Sequence, residues 1–461
     1  MNWRRLVNWG WIILYVCLLG ITVMWALTQN RSPLEEEQAE KITLSFRHFW
    51  NREHDRQVLE IVESVVRKYQ ETHPNIKINF EGVDQTSHRE LKLKSEMVTG
   101  TPPDMFVLFG GAEIEPYVRS NRLMDLTEFL ERKRLKLQFQ DLSLWTFDEG
   151  IYGLPLEGHA EPLYYNKTIF NRLNIPPPET LDQLNEAVRV LKANGIIPFA
   201  LGNEERWPAA IFAQYVMDRY AGPELIQKLA WGEEQVSFRN AGYEEALRQL
   251  ELWIKEGSFS PSSNTLSTEE AVKLFTEGKA AMYLNGNWDI NLFRSKGGSV
   301  RFQEEVGVIP FPVLTEGEGR SMAGGYTIGI GLSSDLNDSK KAAALELLED
   351  LYTEEVQTRI VYEGLRIPSM KIDYDSNRTG PVFAQVIRLM EQSPSSFLPY
   401  DNVISPELNK TFLEVLANML EGNIGAAEAL EQIQNSSERY WRLRDNAGSD
   451  EAEGNVEHGN G

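Results

Sequence analysis

Cysteine is all but absent: one residue in 461, Cys17, and it lies inside an N-terminal apolar run. The rest of the chain therefore holds no disulfide and no thiolate site for metal or redox chemistry. Histidine is sparse as well. Six are scattered at His48, His54, His73, His88, His159 and His458, none paired with another at a metal-ligand spacing, so no metal and no cofactor is expected. Basic charge is short. The 46 Lys and Arg face 68 Asp and Glu, a net charge of −22, which argues against a nucleic-acid binder that needs clustered cations. The acidic excess reads as a solubilising surface that keeps the protein monomeric. Nucleophile elbows, phosphate loops and HExxH helices are missing too, so no enzyme is expected. Paired carboxylates abound in so acidic a chain, and a glycosidase pair among them stays open without geometry.

What is present begins with the N-terminus. Arg4 and Arg5 precede a stretch from Trp9 to Leu27 of 19 residues without a charge, about the length that crosses a hydrocarbon core of roughly 30 Å. The positive flank places the remainder outside the cell. Met24-Trp-Ala-Leu-Thr28 is a poor cleavage site, and Leu14-Tyr-Val16 before Cys17 a poor lipid-attachment site, which favours an uncleaved membrane anchor. Residues 28–41 are polar and read as a spacer.

Ordered structure starts where Ile42, Leu44 and Phe46 alternate with polar residues, the period of a strand. Val58, Ile61, Val62, Val65, Val66 and Tyr69 then form one apolar helical stripe that stops at His73-Pro74. Ile76, Ile78 and Phe80 alternate again, a helix is expected over 88–98, and an apolar strand over 105–109. This β-α-β-α-β order predicts a parallel sheet between helices. Helical periods dominate 181–194, 208–220, 243–256 and 268–278. Strands are expected at 280–284, 306–309 and 326–332, and helices at 339–352, 353–362, 381–391 and 405–421. The tail 445–461 is acidic, has little to bury and is expected to be disordered.

Aromatics are generous, with 11 Trp, 16 Tyr and 20 Phe, and several sit in a fixed order of landmarks. Phe49 and Trp50 end the first strand. Gly100-Thr-Pro-Pro-Asp104 leads into a strand that stops at Phe109-Gly110-Gly111. Tyr152-Gly-Leu-Pro155, Leu163-Tyr-Tyr-Asn166-Lys167 and Pro176-Pro-Pro-Glu-Thr180 follow. Phe275-Thr-Glu-Gly278, Gly286-Asn-Trp288, Val306-Gly-Val-Ile-Pro-Phe-Pro312 and Gly324-Gly325-Tyr326 complete the set. In this order the chain resembles the family 1 extracellular solute-binding proteins of bacterial ABC importers, the maltose- and oligosaccharide-binding type, over about residues 42–440.

The resemblance implies a two-lobed α/β fold of the type II periplasmic-binding-protein kind, closing over ligand in a cleft. It places residues 1–41 as anchor and spacer, 42–156 with 290–332 as the N-terminal lobe, and 157–289 with 333–444 as the C-terminal lobe. Crossings are expected near 156–159, 288–292 and 332–335. The implied partners are a carbohydrate, the importer's transmembrane permease subunits, and the membrane through the N-terminal helix. The alternative is a membrane-anchored sugar sensor feeding a histidine kinase.

A pyranose offers apolar faces and a rim of hydroxyls, so rings and carboxylates are the residues to seek. Trp50 and Phe109 sit at strand ends, where open α/β sheets bind ligands. By resemblance, Trp207 and Trp288 contact sugar, and the loop carrying Asp401 faces the cleft. Each aromatic, Tyr326 included, has packing in the core as its alternative reading. Glu113 and Glu157 are candidate hydroxyl acceptors or solvated loop acids, with His159 beside the latter. Arg366 either forks onto hydroxyls or a carboxylate, or makes a salt bridge between helices.

Overall fold

The inward residues Leu44 and Phe46 fix the register of a large mixed sheet. β1 (Ile42–His48) lies between β2 (Ile76–Gly82) and β3 (Met105–Phe109), parallel to both. The expected helix between β1 and β2 runs Arg56–Thr72 and buries Val58, Ile61, Val62, Val66 and Tyr69. The structure is a computed structural model that describes residues 16–24, 41–52, 54–233, 235–295, 300–315, 321–393 and 396–457.

A small hairpin, β4 (Thr146–Phe147) with β5 (Gly150–Ile151), precedes β6 (Leu154–Ala160), and β7 (Leu163–Asn166) follows two residues later. Next come β8 (Ile197–Ala200), β9 (Ala280–Leu284), β10 (Val306–Ile309), β11 (Met322–Leu332), β12 (Ile367–Pro368) and β13 (Ser396–Phe397). The large sheet has the order β12-β6-β11-β3-β1-β2 with β13 on β11, and a four-stranded sheet has the order β10-β7-β9-β8. Each sheet carries its own core. Phe46, Ile61, Leu108 and Leu347 belong to that of the large sheet. Phe199, Phe212, Trp253 and Phe412 belong to that of the small one.

The lobe boundaries differ from those expected after residue 290. β10 pairs with β7 on the small sheet, whereas the helices Asp338–Leu351 and Glu354–Tyr362 pack on the large one through Leu347, Leu351, Val356 and Ile360. Tyr69 fixes the first of them by donating to the Ala343 carbonyl at 3.1 Å. The crossing expected at 156–159 comes slightly later, since β6 is a continuous strand of the large sheet up to Ala160. An apolar stripe announces that a segment is buried, not which sheet it covers. The tail also differs. The last helix runs Ala426–Glu457, anchored by Ala429, Leu430 and Ile433, and continues through 445–457, since propagation adds a hydrogen bond for every residue fixed.

Of the N-terminal apolar run, residues 16–24 are helical and exposed, and the rest lies outside the described residues. Among the described residues no helix is long and apolar enough to cross a membrane.

Trp145 shows how the large sheet is locked. It is fully buried, its indole N–H donates to the Tyr326 carbonyl at 2.9 Å, and its ring occupies space that three glycines leave open. A Cβ would stand 3.0 Å from the ring at Gly110, 2.4 Å at Gly153 and 2.7 Å at Gly329. Trp145→Ala is expected to cost about 3–5 kcal/mol, the loss of a large ring plus the cavity left behind. Urea unfolding followed by fluorescence and circular dichroism measures it.

Candidate functional site

β6 is buried along its whole length, and the two-residue period of the strand turns Glu157 and His159 to one side, with Glu161 continuing that alternation just beyond it. All three line a cleft of about 800 Å³. The ends of β1 and β3 supply Trp50 and Phe109 from the large-sheet lobe. The small-sheet lobe supplies Trp207, just before the helix Pro208–Ala221, and Trp288, in the turn after β9. Where the lobes meet at one edge, Gly111 (φ +79°) brings its backbone so close to the Asn402 carbonyl that a Cβ would lie 2.3 Å from that oxygen.

The rings are arranged at angles to each other. Trp207 and Trp288 meet edge to face with centroids 5.9 Å apart at 71°, and His159 meets Trp288 at 5.1 Å and 64°. Both tryptophans are partly exposed. Trp207 is steadied by its N–H, which donates to Glu205 at 3.0 Å. Trp50 is 4% exposed and stacks on His48, which in turn stacks on Phe80. Phe109 stacks on Phe49 and carries the Arg89 guanidinium 3.8 Å from its centroid.

Beneath the cleft lies Arg366, 1% exposed. It donates to Asp55 at 2.9 Å, to Glu157 at 3.3 Å, and to the carbonyls of Gly364 at 3.0 Å and Trp288 at 3.3 Å. Burial pushes Glu157 up to about 7 even though Arg366 pulls it down. Burial, and then the charge of Arg366, drives His159 down to about 3, so its imidazole is neutral. A second charge pair joins the lobes: His54, before the first helix, meets the wholly buried Asp289 at 3.3 Å. Burial opposes the imidazolium, but the Asp289 bond and charge prevail and raise His54 to about 9. Tyr283 donates to the other Asp289 oxygen at 2.5 Å.

Several buried polar atoms in this cleft have no hydrogen-bond partner among the described residues. They are Trp50 Nε1, His48 Nδ1, Glu157 Oε2 and Asn402 Oδ1. A set of stacking rings, with lone donors and acceptors between them, is suited to a molecule that is apolar on its faces and hydroxylated at its rim. Among the described residues no group of His, Cys, Asp and Glu is placed to hold a metal ion.

The structure brings Trp50, Phe109, Glu157, His159, Trp207, Trp288 and Asp401 to the cleft wall and leaves Glu113, Tyr326 and Arg366 off it. The Glu113 carboxylate is occupied by Arg89, which donates to it at 2.6 Å. A register shift in β11 between Gly325 and Ile328 sends Ile328 to the cleft and lays the Tyr326 ring over Gly158 instead. Arg366 is the internal salt bridge of its alternative reading, although it joins a strand, a turn and a helix start rather than two helices. Glu161, His54, Asp289 and Arg89 are not among the residues expected from the sequence. The alternation Glu157-Gly-His159-Ala-Glu161 was the available signal for the first of these; the others depend on contacts distant in sequence.

Residues 56–358 match the family described as bacterial extracellular solute-binding protein. An extracellular-binding protein of an ABC transporter from Pyrococcus horikoshii is 30% identical over 295 residues, which cover 62% of this chain and 64% of that one, less than two thirds of the relative. A multiple sugar-binding protein from Streptococcus mutans is 21% identical over 318 residues, 68% of this chain and 71% of that one. Among solved structures, a chitin oligosaccharide binding protein superposes with a TM-score of 0.83 and 28% identity, covering 87% of this chain and 98% of that one. With two sheets enclosing a ring-lined cleft and that family match across most of both, this chain belongs to the bacterial extracellular solute-binding proteins.

Proposed function

We propose that this protein captures a carbohydrate, specifically an oligosaccharide, outside the cytoplasm and delivers it to the permease of an ABC importer without chemical change. The observation that carries this reading is the pairing, in one cleft, of partly exposed Trp207 and Trp288 with the unpartnered atoms of Trp50, Glu157 and Asn402. Stacking supplies affinity for the C–H faces of a pyranose, and the polar atoms read its hydroxyls. The cleft volume of about 800 Å³ exceeds what a single pyranose fills, which favours more than one sugar unit. Relatives named for binding several sugars and chitin oligosaccharides point the same way.

The reading is tested first by a thermal-shift screen against mono- and oligosaccharides, because a ligand that binds only the folded state raises its melting temperature. One sugar class is expected to give a clear shift and to be recovered intact; a cleaved product or silence across the whole library refutes the proposal. With that sugar in hand, Trp288→Ala should weaken binding about tenfold or more by removing a stacking face, with the melting temperature of the free protein little changed. Arg366→Met should behave differently. It leaves the buried Glu157 and the partly buried Asp55 without their cation and is expected to cost about 3–5 kcal/mol of stability as well as affinity. Calorimetric titration beside urea unfolding separates the two variants.

A further inference from the structure

We infer that the cleft selects a saccharide bearing a protonated amine, held by Glu161 together with Glu157, over its uncharged counterpart. This rests on the carbohydrate reading above and deepens it. Nine of the side chains that line the cleft are Asp or Glu, four are Lys or Arg and His54 is a fifth cation, so even with Glu161 protonated its walls carry an excess of negative charge that favours a cationic guest. The internal cations are already committed. Arg366 serves both Asp55 and Glu157, His54 serves Asp289, and Arg89 serves Glu113. Glu161, 3% exposed, has only the neutral amide of Gln214 donating to it at 2.6 Å. His159, 3.8 Å from its other oxygen, is uncharged.

A second observation points into the same space. Glu157, which lines the cleft, is 4% exposed, and its Oε2 has no partner among the described residues. Glu157 and Glu161 stand four residues apart on one side of the chain, with the neutral imidazole of His159 between them. An ammonium carries three donors and a full charge, so on Glu161 it supplies the counter-ion that the fold does not, while Glu157, about 13 Å away along the extended chain, takes another donor of the same saccharide. A hydroxyl supplies one donor and no charge.

Proton linkage follows. The groups facing Glu161 are His159 on its own segment, Asp401 from the turn Tyr400–Asn402, Tyr215 from the helix Pro208–Ala221, whose hydroxyl donates to the Glu161 carbonyl, and Tyr164 on β7. Burial first, and then Asp401, raises Glu161 to about 8, so it is protonated at neutral pH in the free protein. Seating an ammonium against it requires the carboxylate, and the acid proton is released to solvent. Affinity for the amine should therefore climb with pH, by up to about tenfold per unit below that value, until the amine itself begins to lose its proton. Glu157, at about 7, steepens the rise. A neutral sugar needs no such ionisation.

The test is calorimetric titration of the full chain with matched probes: the β-1,4 tetramer of glucosamine against cellotetraose, and galactosamine against galactose. Measurements in two buffers of different ionisation heat report protons released. Amine probes are expected to bind at least tenfold more tightly than their hydroxyl partners near neutral pH, with about one proton released. Glu161→Gln, which keeps the side-chain shape, should remove most of the preference and of the proton release. Hydroxyl probes binding as tightly as the amines, or amine binding without proton release, overturn this inference and leave the carbohydrate reading standing. Binding of no saccharide at all, here and in the wider screen, overturns both.

Discussion

The Arg366 guanidinium is the constraint on which the rest of the site depends. A cation removed from water this completely persists only when its donors are matched, because desolvating an unpaired charge costs several kcal/mol. Its four acceptors come from separate places: Asp55 before the first helix, Glu157 on β6, and the carbonyls of Trp288 and Gly364. Matching the charge therefore ties together the large sheet's first helix, the cleft-lining strand and the turn that carries the ring of the small-sheet lobe. Trp288 takes its place partly because its carbonyl is held there. One guanidinium serves two carboxylates, and burial first, with the charge of Asp55 adding to it, keeps Glu157 raised against the pull of Arg366. The acidic character of the cleft begins in how its floor is held.

The elements that the sequence made legible were those buried on one face. β1, the helix Arg56–Thr72 and β2 each show a single period, and each formed where it was read. β6 escaped because both of its faces are covered, so no alternation of apolar and polar residues marks it. It also contains Pro155 and Gly158, which argue against a central strand. The assignment of later segments to lobes failed for a related reason: the helix Asp338–Leu351 shows its stripe but not the sheet beneath it. Among the residues on the cleft wall, Trp50, Trp207 and Trp288 were legible as candidates because they stand at element ends within a fixed order of landmarks. Tyr326 was misplaced by a register shift in β11, which turns successive side chains to the other face and leaves no trace in composition. His54 and Asp289 are separated by 235 positions, and no local pattern announces such a pair.

The cleft departs most from an ordinary interior in leaving polar atoms unpaired. A buried donor or acceptor without a partner costs about 1–3 kcal/mol, which is why interiors avoid them. Here Trp50 Nε1, His48 Nδ1 and Glu157 Oε2 share one cavity. Each is held by packing that owes nothing to a ligand: Trp50 by its stack on His48, His48 by Phe80, and Glu157 by Arg366. The groups that the proposed reading sets against a guest are thus fixed in advance, and binding need not spend free energy ordering them. That arrangement divides the work of recognition. Rings accept any apolar sugar face and discriminate little, whereas a fixed donor or acceptor rejects a guest that lacks its complement, since the group then stays buried and unpaired. On the proposed carbohydrate reading, affinity in such a cleft comes mainly from the tryptophans, and selectivity from the few polar atoms that the fold itself leaves unsatisfied.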